Sequence, residues 1–257
     1  MSSVLFEILE GVGCLTLNRP EKLNSFNGEM ALNLQKMLDD CRSDEIRSVY
    51  ITGSGKAFSA GQDIEELTGP NPPSTNKILA EHFNPVVIKI KALEKPVVAA
   101  VNGVAAGAGA NIALCCDVVV ASKSAAFIQA FSKIGLIPDS GGTYFLPRLI
   151  GWQKASALMM LGEKVGAEEA ERLGMIYKFF EDDEFAESSF SIAKKLAQMP
   201  TTGLAYTKKA LLSSFTNTLD DQLRLEDQLQ QLASETHDYR EGVQSFIEKR
   251  KPVFNGK

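Results

Sequence analysis

The run Asn102-Gly103-Val104-Ala105-Ala106-Gly107-Ala108-Gly109 carries almost no side chain, and it stands between an apolar β-rich stretch and a helix-like one. Val97 to Val101, bounded by Pro96 and Gly103, has the length and valine content of a buried strand. Ala110 to Cys116 reads as helix and Val118 to Ala121 as a further strand. A bare turn feeding a helix start leaves backbone N–H groups unpaired. It adds the partial positive charge of the helix dipole and lets another molecule approach closely. The combination suits an oxyanion or a phosphate. It also suits tight packing of a strand on a helix, which alone accounts for two of the three glycines.

Such a turn needs a scaffold, and the 257 residues suffice for one large α/β domain or a domain with a helical extension. Hydrophobic residues make up 44% and charged ones 23%, the balance of a globular domain. Lys+Arg number 27 against Asp+Glu 32, a net charge of −5, so no basic excess exists to neutralise a nucleic-acid backbone. A local patch for a single nucleotide is compatible with this. The cysteines, Cys14, Cys41 and the adjacent Cys115 and Cys116, show no CxxC spacing. They read as small apolar core residues of a reducing compartment, not as a disulfide framework or zinc site. MSSVLFEILEG lacks a basic leader, no apolar run approaches the ~20 residues that span a bilayer, and FNGK is no organelle address. The expectation is a cytoplasmic protein without membrane or nucleic-acid partners.

Along the chain, Val4 to Leu17 reads as a hairpin turning at Glu10 to Gly13, and Asn27 to Cys41 as an amphipathic helix. Ser48 to Thr52 is a strand. Ala57-Phe58-Ser59-Ala60-Gly61-Gln62-Asp63 is a second side-chain-poor turn, leading into a short helix at Ile64 to Leu67. Gly69 to Thr75 is the most loop-like segment, and Pro85 should kink or break a helix over Lys77 to Leu93. Ile176 to Phe180 is the last strand. Four helices follow from Asp183, broken at Pro200 to Gly203, near Asn217-Thr218 and near Thr236 to Asp238. The front is thus built of strand–strand–helix units and the back of helices.

Familiar signatures fail on inspection. The dinucleotide fingerprint begun by Gly107-Ala108-Gly109 meets Ile112 at its third position. Gly53-Ser54-Gly55-Lys56 lacks the first glycine and the Ser/Thr of a P-loop, and Pro138 spoils a nucleophile elbow at Ser140. Only His82 and His237 exist, both read as surface residues, so a histidine triad or histidine metal site lacks material. Two bare turns remain, each after a strand and before a helix, each able to offer an N–H to one oxygen. A third loop, Ile137 to Gly142, presents Asp139 at a helix start, where a helix cap is the competing explanation.

AFSAGQDI, AVNGVAAGAGANIAL, FSKIGLIPDSGGTYFLPRLIG and DYREGVQSFIEKRKPVF, with NRPEKLNSFN near the front, resemble the enoyl-CoA hydratase/isomerase, or crotonase, superfamily over Val4 to Phe254. The resemblance implies an α/β spiral of ββα units over residues 1–199. It also implies a C-terminal helical oligomerisation region over 200–257, a homotrimer or dimer of trimers, and an acyl-CoA substrate. No cofactor is implied, since coenzyme A enters as part of the substrate. The oxyanion hole would be the N–H groups of Ala60 and Ala108. Substrate and CoA contacts would fall on Lys22, Leu23, Ser59, Ala60, Gln62, Asp63, Ile64, Gly107 and Phe131, with Phe246 and Lys249 from a neighbouring subunit. The family's hydratases use two glutamates, and Asn111 and Phe131 stand in those positions here.

Asp139 is then the expected catalytic group: a base that moves a proton within a CoA thioester while two N–H groups hold the enolate oxygen. An apolar wall of Phe131, Ile128 and Phe145 would strengthen so weak a base, and Asp63 would cap the helix after its turn. A hydratase or hydrolase, a ring-modifying dehalogenase or lyase, and a non-catalytic CoA-binding scaffold are the alternatives.

Overall fold

The computed structural model of the chain describes residues 2–257. Val4–Leu9 (β1) and Val12–Leu17 (β2) zip together antiparallel. Their turn is shorter than Glu10 to Gly13: Glu10 and Gly11 close it alone, both with positive φ (52° and 78°), the twist a two-residue hairpin needs. Gly28–Asp40 (α1) begins at Asn27, whose side chain accepts the Met30 N–H at 2.9 Å, and buries Met30, Ala31, Leu34 and Leu38 along one stripe.

The strand–strand–helix unit then recurs. Ser48–Gly53 (β3), Ala57–Ser59 (β4) and Ile64–Thr68 (α2) form one turn of it. Thr75–Lys77 (α3), a π-helical segment Ile78–Phe83 and Asn84–Ala92 (α4) lead to Val97–Val101 (β5), Val104–Ala106 (β6) and Ala108–Leu114 (α5). Val118–Ser122 (β7), Ala126–Ile128 (β8), Gly142–Ile150 (α6) and Trp152–Leu161 (α7) follow. Next come Lys164–Gly166 (β9), Ala167–Arg172 (α8), Lys178–Phe180 (β10) and Phe185–Ala197 (α9). Thr201–Ser213 (α10), Leu219–Ser234 (α11) and His237–Ile247 (α12) make the helical C-terminal region.

Each unit gives one strand to each of two sheets, ordered β1-β2-β3-β5-β7-β10 and β4-β6-β8-β9, so the chain advances as a spiral. Beyond the first hairpin the larger sheet is parallel. Its central strand β5 is buried at every residue, as a parallel strand covered on both faces must be. Alternation sorts its side chains: Val97, Ala99 and Val101 enter the main core with α1, α4 and α5, while Val98 and Ala100 face Phe185, Ala193 and Ala197 of α9.

The α10 helix is pinned to this frame by a buried cation. Lys208 Nζ donates to Ile90 O at 2.7 Å and lies 2.7 Å from Asp117 Oδ2, with burial lowering its pKa against the pull of Asp117. Asp117 in turn accepts the Val97 N–H, which ties the pin to the start of β5. The chain end folds back as well: Asp238, buried, accepts the N–H groups of Asn255 and Gly256 at 2.8 and 2.7 Å.

Three local expectations are corrected. His82 is buried, not at the surface, because the π-helical segment turns it inward against Gly28. Pro85 does not break the helix: the helical run from Thr75 to Ala92 is continuous and changes from π to α geometry at Asn84, the residue before the proline. The last strand starts at Lys178 rather than Ile176. All four cysteines are buried free thiols, and burial pushes Cys14 up to about 11 and Cys41 up to about 12. Among the described residues, no helix is long and apolar enough to cross a membrane.

Candidate active site

The first bare turn leaves β4 and is stapled to the chain before α1. Phe26 N–H donates to Gly61 O at 2.7 Å, and Asp63 N–H donates to Phe26 O at 2.8 Å. In this parallel bridge the residue between the two bonds, Gln62, turns its own N–H away from Phe26, and that N–H has no acceptor among the described residues. The expected donor of this turn, Ala60, is corrected by the same geometry: its N–H already donates to Leu23 O at 2.9 Å. The free donor is therefore two residues further on. Ser59 is fully buried and its Oγ accepts the Gly61 N–H at 3.2 Å, so its side chain holds the turn. Asp63 caps α2 by accepting the Glu65 N–H at 3.1 Å and pairs with Arg19 at 2.8 Å.

The second turn leaves β6. Gly107 has φ 52° and ψ −127°, a conformation that only glycine adopts without strain, and its N–H donates to Ile128 O. The chain then enters α5 at Ala108, whose N–H also has no acceptor among the described residues. The two turns stand back to back through missing side chains. A Cβ on Gly61 would lie 2.7 Å from Ala106 O and 3.4 Å from Ala108 N. A Cβ on Gly109 would lie 2.6 Å from the Ser59 Cβ. Two unsatisfied N–H groups are thus brought together by glycine-on-backbone contact.

The third loop docks on α5 one turn beyond Ala108. Asn111, 1% exposed, spends both ends of its amide there: Nδ2 donates to Asp139 O at 2.9 Å and Oδ1 accepts Gln129 Nε2 at 2.8 Å. Gly142 packs so closely on this amide that a Cβ would sit 2.3 Å from Nδ2. Ser140 and Gly141 follow in the left-handed region (φ 50° and 76°), and α6 starts at Gly141 without a side-chain cap. The helix-cap explanation of Asp139 therefore fails. Among the described residues its carboxylate accepts only the Ser140 hydroxyl, at 2.9 Å, and burial raises its pKa against that hydrogen bond. The Phe131 ring covers Gly107, with Cζ 3.7 Å from where a Cβ would be, and Phe145 packs on Gly141. Asn111 is an amide tie and Phe131 an apolar cover, so neither supplies a carboxylate.

Around this centre, Leu23 and Ile64 are exposed, and Lys22 Nζ lies 2.5 Å from Glu65 Oε1, a pairing that raises its pKa. Phe246 and Lys249 are not gathered here by the single chain. Phe246 is 85% exposed near the end of α12 and lines a different groove of about 570 Å³ with Pro200, Tyr239, Val243 and Ile247. The sequence did not mark Arg19, Glu66 and Gln129 as parts of the site's frame, and it offered Asn111 only as the residue in a hydratase glutamate position. Only Asn111 had a signal, an amide buried in an otherwise apolar helix.

Comparison with known proteins identifies the family. A family model described as enoyl-CoA hydratase/isomerase matches residues 7–257. The chain is 48% identical, over 100% of both sequences, to 1,2-epoxyphenylacetyl-CoA isomerase of Escherichia coli. It is 44% identical, over 99% of this chain and 98% of the other, to a Rhodobacter capsulatus protein named probable enoyl-CoA hydratase. Among solved structures, the enoyl-CoA hydratase of Bacillus anthracis superposes with a TM-score of 0.92 at 30% identity, covering 99% of this chain and 100% of that one.

Proposed function

The chain belongs to the enoyl-CoA hydratase/isomerase family, and from that premise we propose that it is an acyl-CoA isomerase that moves a double bond from the β,γ to the α,β position of a CoA thioester. The thioester oxygen sits between the N–H groups of Gln62 and Ala108. Charge that develops on this oxygen as an enolate forms meets two preorganised donors that need no reorientation. Asp139 takes a proton from the α-carbon and, now neutral, returns it to the γ-carbon as the electron pair shifts. The proton is conserved and nothing is oxidised or reduced. One carboxylate suffices because base and acid act in sequence on one face.

The observation that carries this reading is the state of Asp139. It is partly buried, held by one hydroxyl, pushed up in pKa by burial, and without a carboxylate companion at Asn111 or Phe131. A carboxylate kept basic and alone suits proton transfer better than addition of water, which the hydratases of the family perform with two glutamates.

For the substrate we propose 1,2-epoxyphenylacetyl-CoA, converted to oxepin-CoA in phenylacetate degradation. The 48% identical relative of that name supports this. The ring-opened form carries its double bond β,γ to the thioester, so the same shift conjugates it. Isomerisation of linear 3-enoyl-CoA is the same chemistry on an open chain and is the second reading. We further propose a cytoplasmic homotrimer or dimer of trimers, assembled through residues 200–257, with Phe246 and Lys249 completing a neighbour's CoA site.

The test is conversion of a 3-enoyl-CoA, followed by the absorbance of the conjugated thioester, by the parent enzyme and by Asp139→Asn. The Asn variant keeps the shape and the Ser140 hydrogen bond and removes the basic oxygen. Turnover should vanish while binding of a saturated acyl-CoA persists. Normal turnover by a folded Asn variant would refute the catalytic role of Asp139, and absence of turnover in the parent would favour a hydratase or scaffold.

A further inference from the structure

We infer that Glu66 is a positioning residue that fixes the Gln62 N–H through the Gln62 side chain; this rests on the assignment of that N–H as an oxyanion donor. The peptide that carries the N–H is gripped on its other side, where Gly61 O accepts from Phe26 N–H at 2.7 Å. The Gln62 side chain then reaches one helical turn ahead and donates Nε2 to Glu66 Oε2 at 2.8 Å. The second oxygen of the same carboxylate, Oε1, accepts the Gly28 N–H at 2.8 Å. Gly28 lies two residues from Phe26, so these hydrogen bonds close a ring between the segment before α1 and the start of α2.

Each part of the ring has a physical reason to stay in place. Gly28 is the first residue of a 13-residue helix, so the carboxylate sits at the positive end of its dipole. Gly28 is bare because a Cβ would lie 2.9 Å from His82 Cε1 and 3.3 Å from Glu66 Oε1. The buried His82 ring, placed by the π-helical segment, therefore backs the same spot. On the far side of Gln62, Asp63 is locked by Arg19, whose Nη1 also donates to Ser25 O at 2.6 Å. A donor whose value depends on sub-ångström aim is thus braced through its own side chain as well as through the backbone. Neither Glu66 nor the Gln62 amide needs to touch the substrate.

The experiment compares Glu66→Ala, Gln62→Ala and the double variant with the parent enzyme on a 3-enoyl-CoA. The readouts are kcat, KM and Tm. Gln62→Ala keeps the N–H and removes only the tether. A loosened donor should lower kcat by about 10- to 100-fold, less than or equal to the loss of a whole donor, and leave KM within about twofold. The double variant should fall no further than the worse single variant, since both cut one tie. Glu66→Gln can accept from Gly28 and donate to a rotated Gln62 amide, and should recover most of kcat. Parent-like kcat in folded Glu66→Ala, or single losses that multiply in the double variant, would overturn the inference. So would a lowered Tm with kcat unchanged. If Glu66→Ala does not fold, Gln62→Ala decides by the same kcat criterion. Parent turnover that survives in Asp139→Asn overturns the proposed function and this inference together. Asp139-dependent turnover that ignores Gln62→Ala overturns this inference alone.

Discussion

Asp139 carries a cost that follows from its chemistry. Burial raises its pKa, so in the folded protein the charged form is disfavoured relative to the unfolded chain. The native state therefore holds a proton that the unfolded state has released, and stability declines as pH rises from the ordinary aspartate value through the raised one. Above that window the loss is complete. Asp139→Asn, with no charge to bury, should melt at a higher temperature than the parent at pH 7, and the gap should close as pH falls toward ~4. Calorimetry across this range checks it, and a variant that melts lower at pH 7 would contradict the account. The lone carboxylate of the Asp139 loop and the bare start of α5 stood out locally in the sequence, while the roles expected of Asp139 and Ala108 came from the resemblance. The donor of the first turn did not stand out. Whether Ala60 or Gln62 is free depends on Leu23 and Phe26, which arrive from another part of the chain.

Among elements, α5 concentrates the site: Ala108 opens it, Gly109 lets β4 approach, and Asn111 holds the Asp139 loop. Two substitutions one residue apart should therefore behave oppositely. Proline is favoured at the first position of a helix, so Ala108→Pro should fold and bind a saturated acyl-CoA while losing ~10²–10³ of kcat with its N–H. Gly109→Ala keeps every N–H but drives a methyl into Ser59, and should cost ~1–3 kcal/mol of stability, read as a lowered denaturation midpoint. Parent-level kcat in Ala108→Pro would remove Ala108 from the site. Helices were easier to read than their surroundings. The bounds of α1 and the breaks before α11 and α12 follow from caps and apolar spacing that the sequence displays, whereas the break before α10 is confined to Pro200, with Thr201 to Gly203 already in the helix. The π-helical segment left no such mark, since its inward turn of His82 is decided by packing against Gly28.

At the scale of the whole molecule, Leu219, Leu223, Phe246 and Val253 are each more than half exposed on the C-terminal region. So much apolar surface asks for a partner, and we expect no single-chain species at micromolar concentration. Light scattering that returned 27.9 kDa would contradict this. The alternation of strands and bare turns made the α/β spiral readable, whereas the Lys208–Asp117 pin could not be anticipated, because a lysine on a helix normally faces water. The glycine contact between the two turns also governs mutational tolerance. On the proposed function Ala108 contributes to the reaction through an atom every residue but proline possesses, although its own methyl is buried in the core. Gly61 and Gly109 contribute no group to the reaction, yet neither has room for one added methyl. A saturation scan of this region should find only small residues accepted at Ala108 and glycine alone at Gly61 and Gly109. A lineage of such chains could then revise the side chains around the thioester and change the outcome of the reaction while the anion-holding backbone stays as it is.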